Sequence, residues 1–248
     1  MQGKTGGTMV EMRNIHKWFG RVCALRGVDF RVGYSEVVGL VGDNGAGKST
    51  LIKVLSGVFP PDEGEIVLEG RVVRFSSPRD AMEAGIETIH QETALVDTMD
   101  VRRNIFLGRE LTYHLGPIEL LDLKRMAEES ARALREVGLE LRSAAASVRE
   151  LSGGQRQGVA IARAMYFKTR LLILDEPTNN LSVKESNKVL QYIRDLKRQG
   201  ISSIFITHNL HHVYPAADRL VVLKHGEKIA DVDREDTSIE ELTHLMIA

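Results

Sequence analysis

The sequence predicts an α/β fold: a mostly parallel sheet covered by helices on both faces, an antiparallel β element, and an inserted α-helical subdomain. Three observations carry this. The apolar runs EVVGLV at 36–41, LLIL at 171–174 and SIFIT at 203–207 suit strands buried on both faces. Helical stretches lie between the later runs, so strand and helix alternate as a parallel sheet requires. A glycine-rich loop joins the first run to a helix, as in a phosphate-binding core.

The elements follow in order. MVEMRN at 9–14 and VDFRV at 28–32 alternate as strands do. After the run at 36–41 comes GDNGAGKST, and a helix is expected from there to Gly57. Pro60, Pro61, Asp62 and Gly64 mark a turn, and 64–69 with 72–75 read as a hairpin. SPRDAMEAG at 77–85 is a short helix with a Ser-Pro start and a Gly stop, and 86–90 is a strand. Residues 100–168 read as mainly helical, with helices at 123–137 and 155–167. Then come a strand at 171–174, a helix at 183–198, a strand at 203–207, a helix at 210–217 and a strand at 220–223. The expected division is a core of about 9–91 and 166–248 with a helical subdomain of about 92–165, in a single domain spanning 1–248.

Composition narrows the function. Lys and Arg number 33 and Asp and Glu 34, a net charge of -1, which gives no general attraction to nucleic acid or anionic lipid. The single cysteine, Cys23, has no partner for a disulfide or a metal set, which fits a reducing, cytosolic compartment. The polar start MQGKTGGT has no apolar segment of a secretory leader, so residues 1–8 are expected to be frayed or appended. No stretch approaches the roughly 18 apolar residues of a membrane helix. Work at a membrane therefore means docking on something that crosses it.

The strongest motif is Gly42-Asp43-Asn44-Gly45-Ala46-Gly47-Lys48-Ser49, which fits G-x-x-x-x-G-K-[ST] between a strand and a helix. Glycines let successive backbone N–H groups converge on a phosphate, and the helix N-terminus adds its dipole. Gly42, Asn44, Gly45, Ala46, Gly47, Lys48, Ser49 and Thr50 are thus candidates for binding ATP, with Lys48 on the β- and γ-phosphates and Ser49 on Mg²⁺. LLILDE at 171–176 ends a buried strand in two acids. Asp175 is placed to hold Mg²⁺ and Glu176 to orient or deprotonate the attacking water. His208 ends another buried strand and Gln91 ends the strand at 86–90. His208 is a candidate to contact the γ-phosphate, and Gln91 to reach the metal or the water.

Leu151-Ser152-Gly153-Gly154-Gln155, placed after the phosphate loop and before LLILDEP, resembles the signature of ABC ATPases. The resemblance covers roughly 10–245. It implies a RecA-like P-loop NTPase core and a helical subdomain carrying the signature. It also implies a head-to-tail dimer in which Ser152, Gly153 and Gly154 meet the nucleotide held by the partner's Lys48. It assigns Phe19, before Gly20, to stacking on adenine, with Trp18 the alternative. It makes Gln91 the sensor of a transmembrane partner and His208 the switch histidine. Ser77–Glu110 and LSGGQRQGVAIARA resemble monosaccharide-import ATPases of the ribose, xylose and fructose type, in particular the single-cassette members that pair with a second copy. One departure stands out: where the broad family has S-A-L-D after DEPT, this chain has Asn179-Asn180-Leu181-Ser182.

The reading that follows is an ATP hydrolase, cytoplasmic and peripheral on the inner face of the membrane. It would drive import of a small solute through a separate permease, with a solute-binding protein as an indirect partner and no nucleic acid expected. The competing class is a soluble ABC ATPase acting on ribosomes or nucleic acid. Those proteins carry two cassettes or a long coiled coil, and only about 100 residues separate Lys48 from Leu151. The permease contact is expected at about 91–106, where Ala94, Leu95, Val96, Met99 and Val101 form an apolar stretch with few charges.

Overall fold

The computed structural model describes residues 7–89 and 95–247. The chain starts with a long antiparallel hairpin, β1 (Thr8–Phe19) and β2 (Val22–Gly33), which extends the two short strands expected there. β3 (Val37–Val41) is buried along its whole length and leads through the glycine loop into α1 (Lys48–Leu55). β4 (Glu63–Leu68) and β5 (Arg71–Val73) form the predicted hairpin and join the first to give a four-stranded antiparallel sheet of order β2-β1-β4-β5.

α2 (Pro78–Glu83) starts with a reciprocal cap: Ser77 Oγ accepts from the N–H of Asp80, and the Asp80 carboxylate accepts from the N–H of Ser77. β6 (Ile86–Ile89) follows. α3 (Val101–Ile105) is capped by Asp100. The next segment adds strands to a block expected to be mainly helical. β7 (Thr112–Leu115) and β8 (Ile118–Leu121) form a two-stranded hairpin around Gly116, whose φ of 62° only glycine takes readily. α4 (Leu123–Glu136) and α5 (Gly153–Tyr166) come close to the predicted helices.

β9 (Leu171–Asp175), α6 (Val183–Arg198), β10 (Ser202–Thr207), α7 (Leu210–Val213) and β11 (Arg219–Lys224) continue the alternation. α7 is shorter than expected because Pro215 interrupts the stretch. β12 (Glu227–Asp233) and α8 (Ile239–Ile247) close the chain and were not expected. The second sheet has the order β12-β11-β3-β10-β9-β6, parallel except for the β11–β12 pair. β3, β9 and β10 lie side by side, so the residues that follow them emerge at one edge.

Two compact units are distinguished. One comprises the described residues of Met1–Gln91, Thr169–Pro177 and Ile193–Ala248 and contains both sheets. The other comprises those of Glu92–Lys168 and Thr178–Tyr192. The first unit packs Val38, Leu40, Leu51, Leu55, Ile173, Ile204 and Val221 around one apolar core with Leu25, Val28 and Phe30 of β2.

Candidate functional site

The loop after β3 is shaped by positions that admit no side chain. Gly42 has φ 148°, and a Cβ there would lie 2.2 Å from the Leu223 carbonyl oxygen. Gly47 caps α1 at φ 104°, with the Ala24 carbonyl 3.0 Å from where a Cβ would stand. The β11–β12 turn holds the loop from outside: Gly226 N–H donates to the Ala46 carbonyl at 3.0 Å, and the Gly226 carbonyl accepts from Arg26 N–H at 2.8 Å. A cleft of about 370 Å³ opens on this loop, lined by Asn44, Gly45, Ala46, Gly47, Lys48, Ser49 and Thr50. Val22, Cys23, Ala24 and Arg26 of β2 wall it on one side and His225 and Gly226 on another.

Lys48 is 8% exposed, and its ammonium donates to the carbonyls of Gly42 at 2.6 Å and Asp43 at 3.0 Å. Burial lowers its pKa, against the opposing pull of Glu176, Asp175 and Asp43. The charged form is therefore partly desolvated, and a phosphate offers it a better partner than two neutral carbonyls.

β9 carries Asp175 to its end, and the next residue, Glu176, takes a left-handed φ of 50°. Strain at a non-glycine residue is a recurrent mark of functional sites. The Glu176 side chain is held by the end of β10. It accepts from Thr207 Oγ1 at 2.8 Å, from His208 N–H at 3.1 Å and from His208 Nδ1 at 2.7 Å. Sequence reasoning named Glu176 and His208 separately; the structure joins them. Ser49 is exposed in the first turn of α1, and Asp175 ends β9; these are the two oxygen donors that the sequence suggested for a divalent cation. Among the described residues no group of three or more His, Cys, Asp or Glu gathers to form a metal cage. A hydroxyl and one carboxylate, completed by phosphate oxygens and water, suit Mg²⁺.

The second unit holds the other motif. Ser152 caps α5 reciprocally: its Oγ accepts from Gln155 N–H, and Gln155 Oε1 accepts from Ser152 N–H at 2.9 Å. Gly153 and Gly154 open the helix, and backbone N–H groups at a helix N-terminus make a ready anion seat.

Residues 25–179 match the family described as ABC transporter. The chain belongs to the ABC transporter family. It is 47% identical over 238 residues to the xylose/arabinose import ATP-binding protein XylG of Sulfolobus acidocaldarius, covering 96% of this chain and 93% of that one. It is 42% identical over 238 residues to the fructose import ATP-binding protein FrcA of Rhizobium meliloti, covering 94% and 92%. Among solved structures it is similar to the dimeric post-hydrolysis state of the ATP-binding cassette MJ0796 bound to ADP and Pi, with TM-score 0.75 and 25% identity over 91% of this chain and 99% of that one.

Within this ABC cassette the remaining candidates fall as follows. Phe19 is 44% exposed, its ring edge-on to Phe59 at 5.3 Å, and it is not among the residues lining the cleft. Trp18 stacks on His16 at 5.3 Å. Val22, Cys23 and Arg26 stand at the cleft instead. Sequence reasoning missed them because they lie in a strand whose exposed face carries no motif. Gln91 and Ala94 lie outside the described residues. Of the apolar stretch beyond them, Leu95, Val96 and Met99 are half-buried, but Val101 is fully buried and belongs to the packing of its unit. Asn104, also fully buried, closes the turn before α3. Its Oδ1 accepts from Val96 N–H at 2.6 Å, and its Nδ2 donates to the carbonyls of Val96 and Asp100 at 3.1 and 3.0 Å. Ser182, where the broad family has Asp, caps α6 through Glu185.

Proposed function

We propose that this ABC ATPase is the ATP-binding subunit of an importer. Two copies close head to tail on ATP, and their closure drives uptake of a monosaccharide through a separate membrane permease. The observation that carries this is the pairing of a phosphate-loop cleft with a capped Ser152-Gly153-Gly154 turn, in a chain whose similarity to sugar-import ATP-binding proteins runs nearly end to end. In this reading Lys48 and the loop N–H groups bind the β- and γ-phosphates, and Ser152 and Gly154 of the second copy complete the γ-phosphate shell. Ser49 and Asp175 would hold Mg²⁺, which neutralises charge on the phosphate oxygens when bound. Glu176 takes the proton of the attacking water, and His208 orients Glu176 and meets the γ-phosphate. The half-buried Leu95 and Met99, on the turn fixed by Asn104, face the permease. A solute-binding protein delivers the sugar on the far side of the membrane.

The test is reconstitution. This chain, purified with its permease in liposomes, should hydrolyse ATP faster when a binding protein loaded with a pentose or hexose is supplied inside the vesicle. Stimulation by amino acids or peptides alone would remove the sugar assignment. Stimulation by ribosomes or nucleic acid without a permease would remove the transport reading.

A further inference from the structure

Glu185 lies in the first turn of α6, three residues after Ser182. The pair forms a cap: Ser182 Oγ and N–H donate to Glu185 Oε2 at 2.8 and 3.1 Å, and Glu185 N–H donates back to Ser182 Oγ at 3.4 Å. Its other oxygen leaves α6. Oε1 accepts from the N–H of Gly154 at 3.3 Å, and the Ser152 hydroxyl stands close enough to help hold the carboxylate in its charged form. Glu185 and the signature turn belong to one compact unit. A Cβ on Gly154 would stand 3.2 Å from both Cβ and Cγ of Glu185, so the glycine is what lets the acid approach the turn.

The carboxylate is well seated. Donation from the Ser182 hydroxyl, then from the Ser182 N–H, the Ser152 hydroxyl and the Gly154 N–H, draws its pKa down to about 2. It is an anion at every physiological pH, and its partners at the signature turn are the same two groups assigned above to the γ-phosphate held by the second copy. Two anions cannot share one pair of donors without strong repulsion.

We infer that Glu185 is a built-in occupant of the signature turn, an autoinhibitory contact that the partner-bound γ-phosphate of ATP must displace before two cassettes close. The inference rests on the composite-site reading of Ser152 and Gly154. It also gives Ser182 a role: with serine in place of the family's aspartate, the residue caps α6 as a donor and delivers Glu185 to the turn, whereas an aspartate carboxylate there would repel it.

The test uses the full chain carrying Glu176→Gln to prevent hydrolysis, with the monomer–dimer Kd in Mg-ATP measured by sedimentation. Glu185→Gln keeps the cap, since glutamine serves at that position of a capping box, and removes the charge. Its Kd should fall on the order of tenfold or more, the scale of one charge-assisted hydrogen bond no longer in competition. Glu185→Asp keeps the charge but withdraws it from Gly154 by one methylene; it should also tighten the dimer, and it decides the matter if the glutamine variant does not fold. A folded deciding variant with an unchanged or raised Kd overturns the inference. Ser152→Ala in the same background separates the two layers. If it stays monomeric while the Glu185 variant dimerises no more tightly, only the autoinhibition falls. If it dimerises like its parent, the composite site falls and the inference with it.

Discussion

Glu176→Gln isolates chemistry from structure, because the surroundings of Glu176 tell the two apart. The carboxylate receives three hydrogen bonds from the end of β10, two on Oε1 from His208 and one on Oε2 from Thr207. In the glutamine variant the amide oxygen keeps both His208 donors. The amide nitrogen then faces Thr207, whose hydroxyl can turn from donor to acceptor. No polar group is orphaned, so the structural loss is that of charge assistance, about 1 kcal/mol or less at this partly exposed site. The catalytic loss is that of a general base, roughly 10²–10⁴-fold in turnover. That is about 2.7–5.5 kcal/mol at 1.36 kcal/mol per tenfold. Steady-state phosphate release, calorimetric ATP titration and thermal melting should therefore diverge: turnover nearly gone, ATP affinity and melting temperature close to wild type. Turnover within a few-fold of wild type would refute the role of Glu176. A large fall in melting temperature would refute the isosteric argument.

The other predictions rest on equally local contacts. Lys48→Ala removes the buried ammonium now shared between the Gly42 and Asp43 carbonyls. ATP affinity by calorimetry should drop at least about tenfold, the worth of one charge-assisted contact. Gly42→Ala puts a Cβ 2.2 Å from the Leu223 carbonyl in a backbone region that alanine avoids. It should destabilise the chain by roughly 2–4 kcal/mol in urea titrations and weaken nucleotide binding as well. Leu95→Glu and Met99→Glu, at half-buried positions on the Asn104-closed turn, should abolish co-purification with the permease and transport while leaving the basal ATPase of the isolated chain within about twofold, as surface changes away from a site usually do.

What the sequence made legible were the features that local chemistry dictates. The phosphate loop could be read because Gly42 and Gly47 are required by φ and by close backbone approach, and such requirements leave fixed spacings. β3, β9 and β10 could be read because strands buried on both faces need unbroken apolar runs. The β7–β8 hairpin went unread because its residues are half-exposed or exposed on both faces and leave no alternation of polarity, although Gly116-Pro117 between TYHL and IELL was an available turn signal. β12 and α8 were missed for want of a motif, and His225-Gly226 was their turn signal. Ser182-Val183-Lys184-Glu185 was legible in principle as a capping box. The reach of Glu185 to Gly154, 31 residues away in sequence, was not, because only the fold brings α6 beside the signature turn.

A common principle joins Lys48, Glu176 and Glu185. Each charged group is already bonded within its own unit: Lys48 to loop carbonyls, Glu176 to Thr207 and His208, Glu185 to Ser182 and the signature turn. Binding at such a site is an exchange of hydrogen bonds, and the net gain of each exchange is small compared with the bond itself. Discrimination then comes from how many exchanges a ligand completes at once. If the composite site is as proposed, a γ-phosphate satisfies Lys48 of one copy while replacing Glu185 on the signature turn of the other, and ADP does only the first. A cassette that left its signature donors open would gain affinity for any anion. A cassette that seats its own carboxylate there makes closure depend on the third phosphate, which is the property a motor needs if its cycle is to be timed by hydrolysis.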